Sequence, residues 1–366
     1  MRKRIADLIM HRAGLVCVAA GAALGIAVPA LAGPNISAAN AAMAAVVQRA
    51  KAPGAGFAVG DAGRIVDVKG FGYADVAART PVGPDTMFAL ASCSKPITAM
   101  AIMKLIESGK LTLDTPAFAF LGIHGGADPR SGSITIKNLL NHSSGLPHDV
   151  PANTGDPIDT ARAAARVQLL FAPGTQQAYS NAGFNVLGAV VEKASGQRYV
   201  DFVEANVFRP AGVSRFGALE SRSVIPGQAV RYAKNGRAVV NKRSEGGTPA
   251  GGWILSPADT VRVLMAYDAG KIVSPASRAA MLAPPAAPLM RRSDGSAFGL
   301  GWDVVYRAGG DPNAVFYGKN GGIPGTSTWI EHRPDGIDFA AFYNGGNGSG
   351  AHRPGLAAVE RALDGR

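Results

Sequence analysis

The chain has 366 residues, 17% charged and 47% hydrophobic. That mixture excludes a disordered or fibrous chain and is long enough to bury a core around a cleft. The formal charge of +11 is spread along the chain without basic runs or interleaved aromatics, so nucleic-acid binding has no support beyond charge.

The opening residues predict an export signal over 1–32. Arg2, Lys3, Arg4 and Arg12 make a basic start, the stretch from Ala13 to Val28 is apolar, and Ala30-Leu31-Ala32 offers a small-residue cleavage site. Export would place the chain in the periplasm or outside the cell. The alternative is an uncleaved anchor, for which the apolar run is short against the roughly 20 residues of a membrane span. No later segment approaches that length, so stable membrane insertion after cleavage is not expected. Cys17 leaves with the signal, and Cys93 then has no partner for a disulfide.

Beyond the signal, residues 38–51 read as a helix, and 55–61 and 64–73 as strands turned at Asp61-Ala62-Gly63. Residues 92–108 form a helix with Ile97, Met100, Ala101 and Leu105 at helical spacing. The middle is mostly helical: 135–141, 159–169, 181–196, 199–207 and 257–268. From 298 the pattern turns to strands, at 298–307, 314–317, 327–332 and 337–343, before a last helix at 354–364. Strands at both ends with helices between predict an α+β domain over 33–366. Its sheet subdomain, about 33–120 and 291–366, would be built where the ends meet, with a helical subdomain at about 121–290 and a cleft at the junction.

Three segments carry chemistry. In Ser92-Cys93-Ser94-Lys95 a spacing of three puts Ser92 and Lys95 on one face of a helix start. A serine hydroxyl needs a base to become a nucleophile, and a lysine serves only when burial or a positive neighbour keeps it neutral. Read alone, Ser92 is as well explained as a helix cap. In Tyr179-Ser180-Asn181 alternate residues point the same way. A tyrosine held between lysines can shuttle protons, and an asparagine amide can hold the lysine and a substrate carbonyl. Read alone, the pair is a core tyrosine and a cap. In Lys319-Asn320-Gly321-Gly322 the lysine can steady the tyrosine or meet a substrate carboxylate. The Gly322 N–H can pair with that of Ser92 as an oxyanion hole; read alone, the segment is a glycine-rich turn.

The three segments in this order resemble the S-x-x-K, S-D-N and K-T-G marks of penicillin-binding proteins and β-lactamases. More narrowly the chain resembles the β-lactamase-related serine hydrolase family, the class C-like branch in which Y-x-N stands for S-D-N. The strings from Leu139 to Leu146, from Phe171 to Gly183 and from Gly318 to Gly325 share the resemblance. It implies a β-lactamase/transpeptidase-like fold and an acyl-enzyme mechanism between a sheet and a helical subdomain. Asn320 departs from the Thr or Ser of K-T-G that meets the substrate carboxylate, which weakens a strict β-lactamase assignment. Cys93 is expected to be a packing residue.

The residues therefore predict an exported serine hydrolase acting on a small-molecule or peptide substrate with a scissile carbonyl (ester, β-lactam or D-amino-acid peptide), with no cofactor and no metal. Ser92 is the nucleophile, Lys95 and Tyr179 the bases, Asn181, Lys319 and Asn320 the substrate-binding and electrostatic groups, and the Ser92 and Gly322 amides the oxyanion donors. The alternative is a penicillin-binding or peptidoglycan-sensing module with little turnover. An α/β-hydrolase is excluded by the missing G-x-S-x-G. A zinc hydrolase is excluded because His142, His148 and Asp149 lack ligand spacing.

Overall fold

In the computed structural model, which describes residues 33–151, 156–219, 225–239, 247–289, 295–306, 315–345 and 353–364, the first element is α1 (Ile36–Ala50). Asn35 caps it by accepting from the Ala38 N–H. The predicted export signal over 1–32 lies outside the described residues. β1 (Gly54–Asp61) and β2 (Arg64–Asp75) follow as a hairpin, turned where Ala62 and Gly63 take positive φ. β3 (Thr80–Pro81) and β4 (Phe88–Ala89) are short. A 3₁₀ turn, Ala91–Ser94, leads into α2 (Lys95–Glu107), so the helix predicted from residue 92 begins one turn later.

The helices α3 (Ala117–Leu121), α4 (Ile136–Leu140), α5 (Pro157–Ala164), α6 (Asn181–Ser195) and α7 (Tyr199–Val203) come next, the last running into a wide turn at Glu204–Phe208. Then come β5 (Gly217–Ala218), β6 (Trp253–Leu255), α8 (Pro257–Asp268) and α9 (Pro275–Leu282). The chain closes with β7 (Ser296–Phe298), β8 (Asp303–Val305), β9 (Phe316–Ile323), β10 (Thr326–His332), β11 (Ile337–Tyr343) and α10 (Arg353–Leu363).

The ends do meet. β1 pairs antiparallel with β11 from Ala55↔Tyr343 to Asp61↔Ile337, in a sheet ordered β3-β2-β1-β11-β10-β9-β8-β7 among the described residues. Both central strands are buried on both faces, and their alternation sorts the core. Phe57, Val59, Phe339, Ala341 and Tyr343 pack with Ala39, Met43, Leu356 and Val359 of α1 and α10. Ala58, Ala340 and Phe342 join the larger core formed with α2, α6 and α8.

Two features differ from the sequence reading. Although the reading places it in the helical half, α8 packs on the sheet against β1, β2 and β11. Glycines on β1 permit this: a Cβ at Gly56 would come 2.8 Å from Pro257, and one at Gly60 2.8 Å from Val261. The single strand predicted over 298–307 is two strands, β7 and β8, turned at Gly301 (φ 88°), where a Cβ would come 2.4 Å from Cβ of Ala99 on α2. No helix among the described residues is long and apolar enough to cross a membrane.

Candidate active site

From Thr86 to Met103 every residue is buried except Ser92, which is half-buried. The turn that lifts it out is fixed from both sides. Leu90 donates its N–H to Trp253 O at 2.7 Å, and Thr328 Oγ1 on β10 donates to Leu90 O at 2.7 Å. Ala91 sits at φ 48°, a left-handed conformation that costs a residue with a Cβ about 1 kcal/mol and persists because its surroundings enforce it.

One turn into α2, Lys95 is buried and its Nζ donates three hydrogen bonds: to Ser92 Oγ at 3.2 Å, Asn181 Oδ1 at 2.8 Å and Ala250 O at 2.6 Å. The Tyr179 hydroxyl donates to Ser92 Oγ at 2.6 Å. Ser180, between Tyr179 and Asn181, turns the other way and caps α6 by accepting from the Gly183 N–H. The two flanking side chains are thereby left to face Ser92 and Lys95.

Lys319 lies inside β9, which extends through the predicted glycine turn. Its side chain is 2% exposed, and its Nζ donates to Asp303 Oδ2 at 3.0 Å and lies 5.1 Å from the centre of the Tyr179 ring. The charge is thus turned inward, to Asp303 and the tyrosine. Asn320 pairs with Trp329, which packs against the α1–α10 side of the sheet. Strand alternation therefore sets Asn320 on the face away from Lys319 and outside the hydrogen-bonded cluster.

Burial is the largest influence on Lys95 and takes its pKa below the ordinary lysine value; Tyr179 opposes this and Lys319 adds to it. Burial pushes the Tyr179 phenol up, but the charges of Lys95 and Lys319 and the hydrogen bonds from Lys95 and Ser92 outweigh it and leave it lowered. Burial also works against the charge on Lys319, but Asp303 and Tyr179 raise it. The two lysines are driven apart: Lys319 stays cationic, while Lys95 and Tyr179 are poised to exchange a proton with Ser92.

A serine oxygen bonded to a buried lysine and a tyrosine in this geometry invites comparison with known proteins. The family model described as Beta-lactamase matches residues 39–359. The chain belongs to the Beta-lactamase family. Esterase EstB of Burkholderia gladioli is 37% identical over 177 residues, 42% of this chain and 44% of that protein. A penicillin-binding protein from Bacillus halodurans superposes with a TM-score of 0.73 at 26% identity, covering 87% of this chain and 98% of that one. The octameric penicillin-binding protein homologue from Pyrococcus abyssi gives 0.73 at 27% identity, over 89% and 76%. The chain spans 39% to 63% of the length of the curated relatives it matches first.

Further residues of this Beta-lactamase family site take their partners only in the folded chain. Gly321 is required by close approach: a Cβ there would lie 2.3 Å from Thr328 Oγ1, 2.4 Å from Leu90 O and 2.9 Å from Ser92 N. That contact brings the β9 backbone, and with it the Gly321-Gly322 peptide, beside the Ser92 amide. Asp303, on β8, and the Ala250 carbonyl, in the helical turn Thr248–Gly252, come from stretches remote in sequence. His142 (φ 60°) accepts from the Ser180 N–H through Nδ1 at 3.1 Å and packs its ring 4.5 Å from that of Tyr179, which steadies the tyrosine. Cys93 is buried, donates to Lys319 O and has its thiol pushed up to about 12 by burial, which suits a packing residue.

Among the described residues one group, Asp268, His332 and Asp338, brings three metal-ligating side chains within 4.8 Å. His332 Nδ1 lies 2.7 Å from Asp268 and 2.9 Å from Asp338, while Arg278 and Tyr317 also reach Asp268. Burial lowers the His332 pKa, but the two carboxylates raise it to about 9.

Proposed function

We propose that the protein is a serine hydrolase that cleaves an ester or amide through an acyl-enzyme on Ser92. The observation that carries this reading is the convergence of the Tyr179 hydroxyl at 2.6 Å and Lys95 Nζ at 3.2 Å on one half-buried serine oxygen. Lys95 and Tyr179, whose phenolate the Lys319 cation stabilises, accept the Ser92 proton as Oγ attacks the carbonyl carbon. The oxyanion is received by the amides of Ser92 and Gly322, and Tyr179 returns the proton to the leaving group. Water then attacks the acyl carbon as Tyr179 takes its proton, and the acyl bond to Ser92 breaks as Tyr179 returns that proton to Ser92 Oγ. Asn181 fixes Lys95. Export is part of the proposal, on the strength of the basic start, apolar run and small-residue site before Gly33; the amino terminus of the protein recovered outside the cytoplasm tests it.

The decisive experiment is turnover of p-nitrophenyl acetate by Ser92→Ala. Activity is expected to fall by about 10³-fold or more. Unchanged turnover rejects the scheme.

A further inference from the structure

Neither lysine of the site offers its charge to solvent: Lys95 is enclosed, and Lys319 is paired with Asp303. Asp149, by contrast, is acidic, bonded to the cluster and open to water. Its side chain is 67% exposed, Oδ1 accepts from Asn181 Nδ2 at 3.1 Å, and Oδ2 lies 2.5 Å from His148 Nδ1. Asn181 Oδ1 accepts from Lys95, which leaves Nδ2 to donate to the Asp149 carboxylate. Asp149 is thus joined to Ser92 through two side chains, Asn181 and Lys95. The wall beside it is aromatic, with the His148 ring stacked on Tyr179 at 5.7 Å.

Resting on the serine hydrolase reading above, we propose that Asp149 is a specificity residue that receives an ammonium group on the acyl part of the substrate. The preferred substrates are then amides or esters of amino acids, or peptides with a free amino terminus. An amino-acid acyl group on Ser92 holds its α-ammonium one carbon from the reacting carbonyl, at the cluster that Asn181 links to Asp149. Each Asp149 oxygen keeps a lone pair after its present bond, so the ammonium adds a charge-assisted hydrogen bond without displacing Asn181. A substrate carboxylate at the same place meets like charge, and a blocked amine forfeits the bond.

The test compares kcat/KM for alanine p-nitroanilide and N-acetylalanine p-nitroanilide, each enantiomer in turn, at about pH 7 where an α-amino group is mostly protonated. Wild type, Asp149→Asn and Asp149→Glu are measured, with p-nitrophenyl acetate as a neutral substrate and Ser92→Ala as control. Wild type is expected to favour the free amine by about tenfold or more, Asp149→Asn to bring that ratio near one, and Asp149→Glu to keep part of it. The same ratio in wild type and Asp149→Asn, a uniform loss on all substrates, or no cleavage of either anilide by an enzyme whose p-nitrophenyl acetate turnover needs Ser92, overturns the proposal. Ester turnover that survives in Ser92→Ala instead sinks the serine hydrolase reading.

Discussion

Two lysines sit on either side of one tyrosine and differ in what neutralises them. Lys319 has a carboxylate, Asp303, at 3.0 Å, whereas Lys95 has neutral oxygens from Ser92, Asn181 and Ala250. A buried ammonium with a carboxylate keeps its proton, and one with neutral partners gives it up more readily. The catalytic base therefore loses its proton below the ordinary range of lysine and tyrosine, and kcat/KM is expected to rise with pH along that limb. Replacing Lys319 by Met removes a positive charge that holds the Tyr179 pKa down. The acidic limb of the profile should then move to higher pH by about one unit, read from kcat/KM across the pH range. An unmoved limb means that Lys319 does not tune the tyrosine.

At the scale of elements, the site is the meeting of a turn and a strand. The Ala91–Ser94 turn is pinned to Trp253 on one side and to β10 on the other, and β9 comes close enough that position 321 has no room for a methyl group. Since the nearest obstacles include Leu90 O and Ser92 N, which are backbone, the clash cannot be relieved by a rotamer. Gly321→Ala is expected to move β9 away from the Ser92 amide and to lower kcat by tenfold or more, since losing one oxyanion donor costs on the order of 10²–10³-fold. Circular dichroism should show the fold retained. Full activity in that variant would mean that the strand and the turn are not coupled as described.

Across the whole molecule, the cluster of His332 and Asp338 from the sheet with Asp268 at the end of α8 ties the helix to the strands β10 and β11. Burial lowers the His332 pKa, but Asp268 and Asp338 raise it from 6.5 to about 9. A group bound more tightly by its proton in the folded state stabilises below its unfolded pKa, and that stability is lost as pH rises through the folded value. Asp338, itself pushed up to about 6 by burial, has spent its pH dependence by neutrality. Urea unfolding should therefore show stability falling between about pH 7 and 10, by on the order of 3 kcal/mol at most, with the slope flattened in His332→Gln. An equal slope in the variant would place the pH dependence elsewhere.

Local signals were enough for much of this. Short apolar runs bounded by turn residues mark β1 and β11, Asp61-Ala62-Gly63 marks a turn, and the spacing of Ser92 and Lys95 puts them on one face, because each depends on neighbours a few residues away. The order of the three motif segments was legible too. What the sequence left open depends on contacts between residues far apart in the chain. Asp303 takes up the Lys319 charge across a strand pair, Asp149 reaches Asn181 from another loop, and α8 lies on the sheet because two glycines of β1 admit it. A side chain's partner fixes its charge, and only the folded chain chooses the partner; so the residue types of the site belong to the sequence, and which lysine is base and which is cation belongs to the tertiary structure.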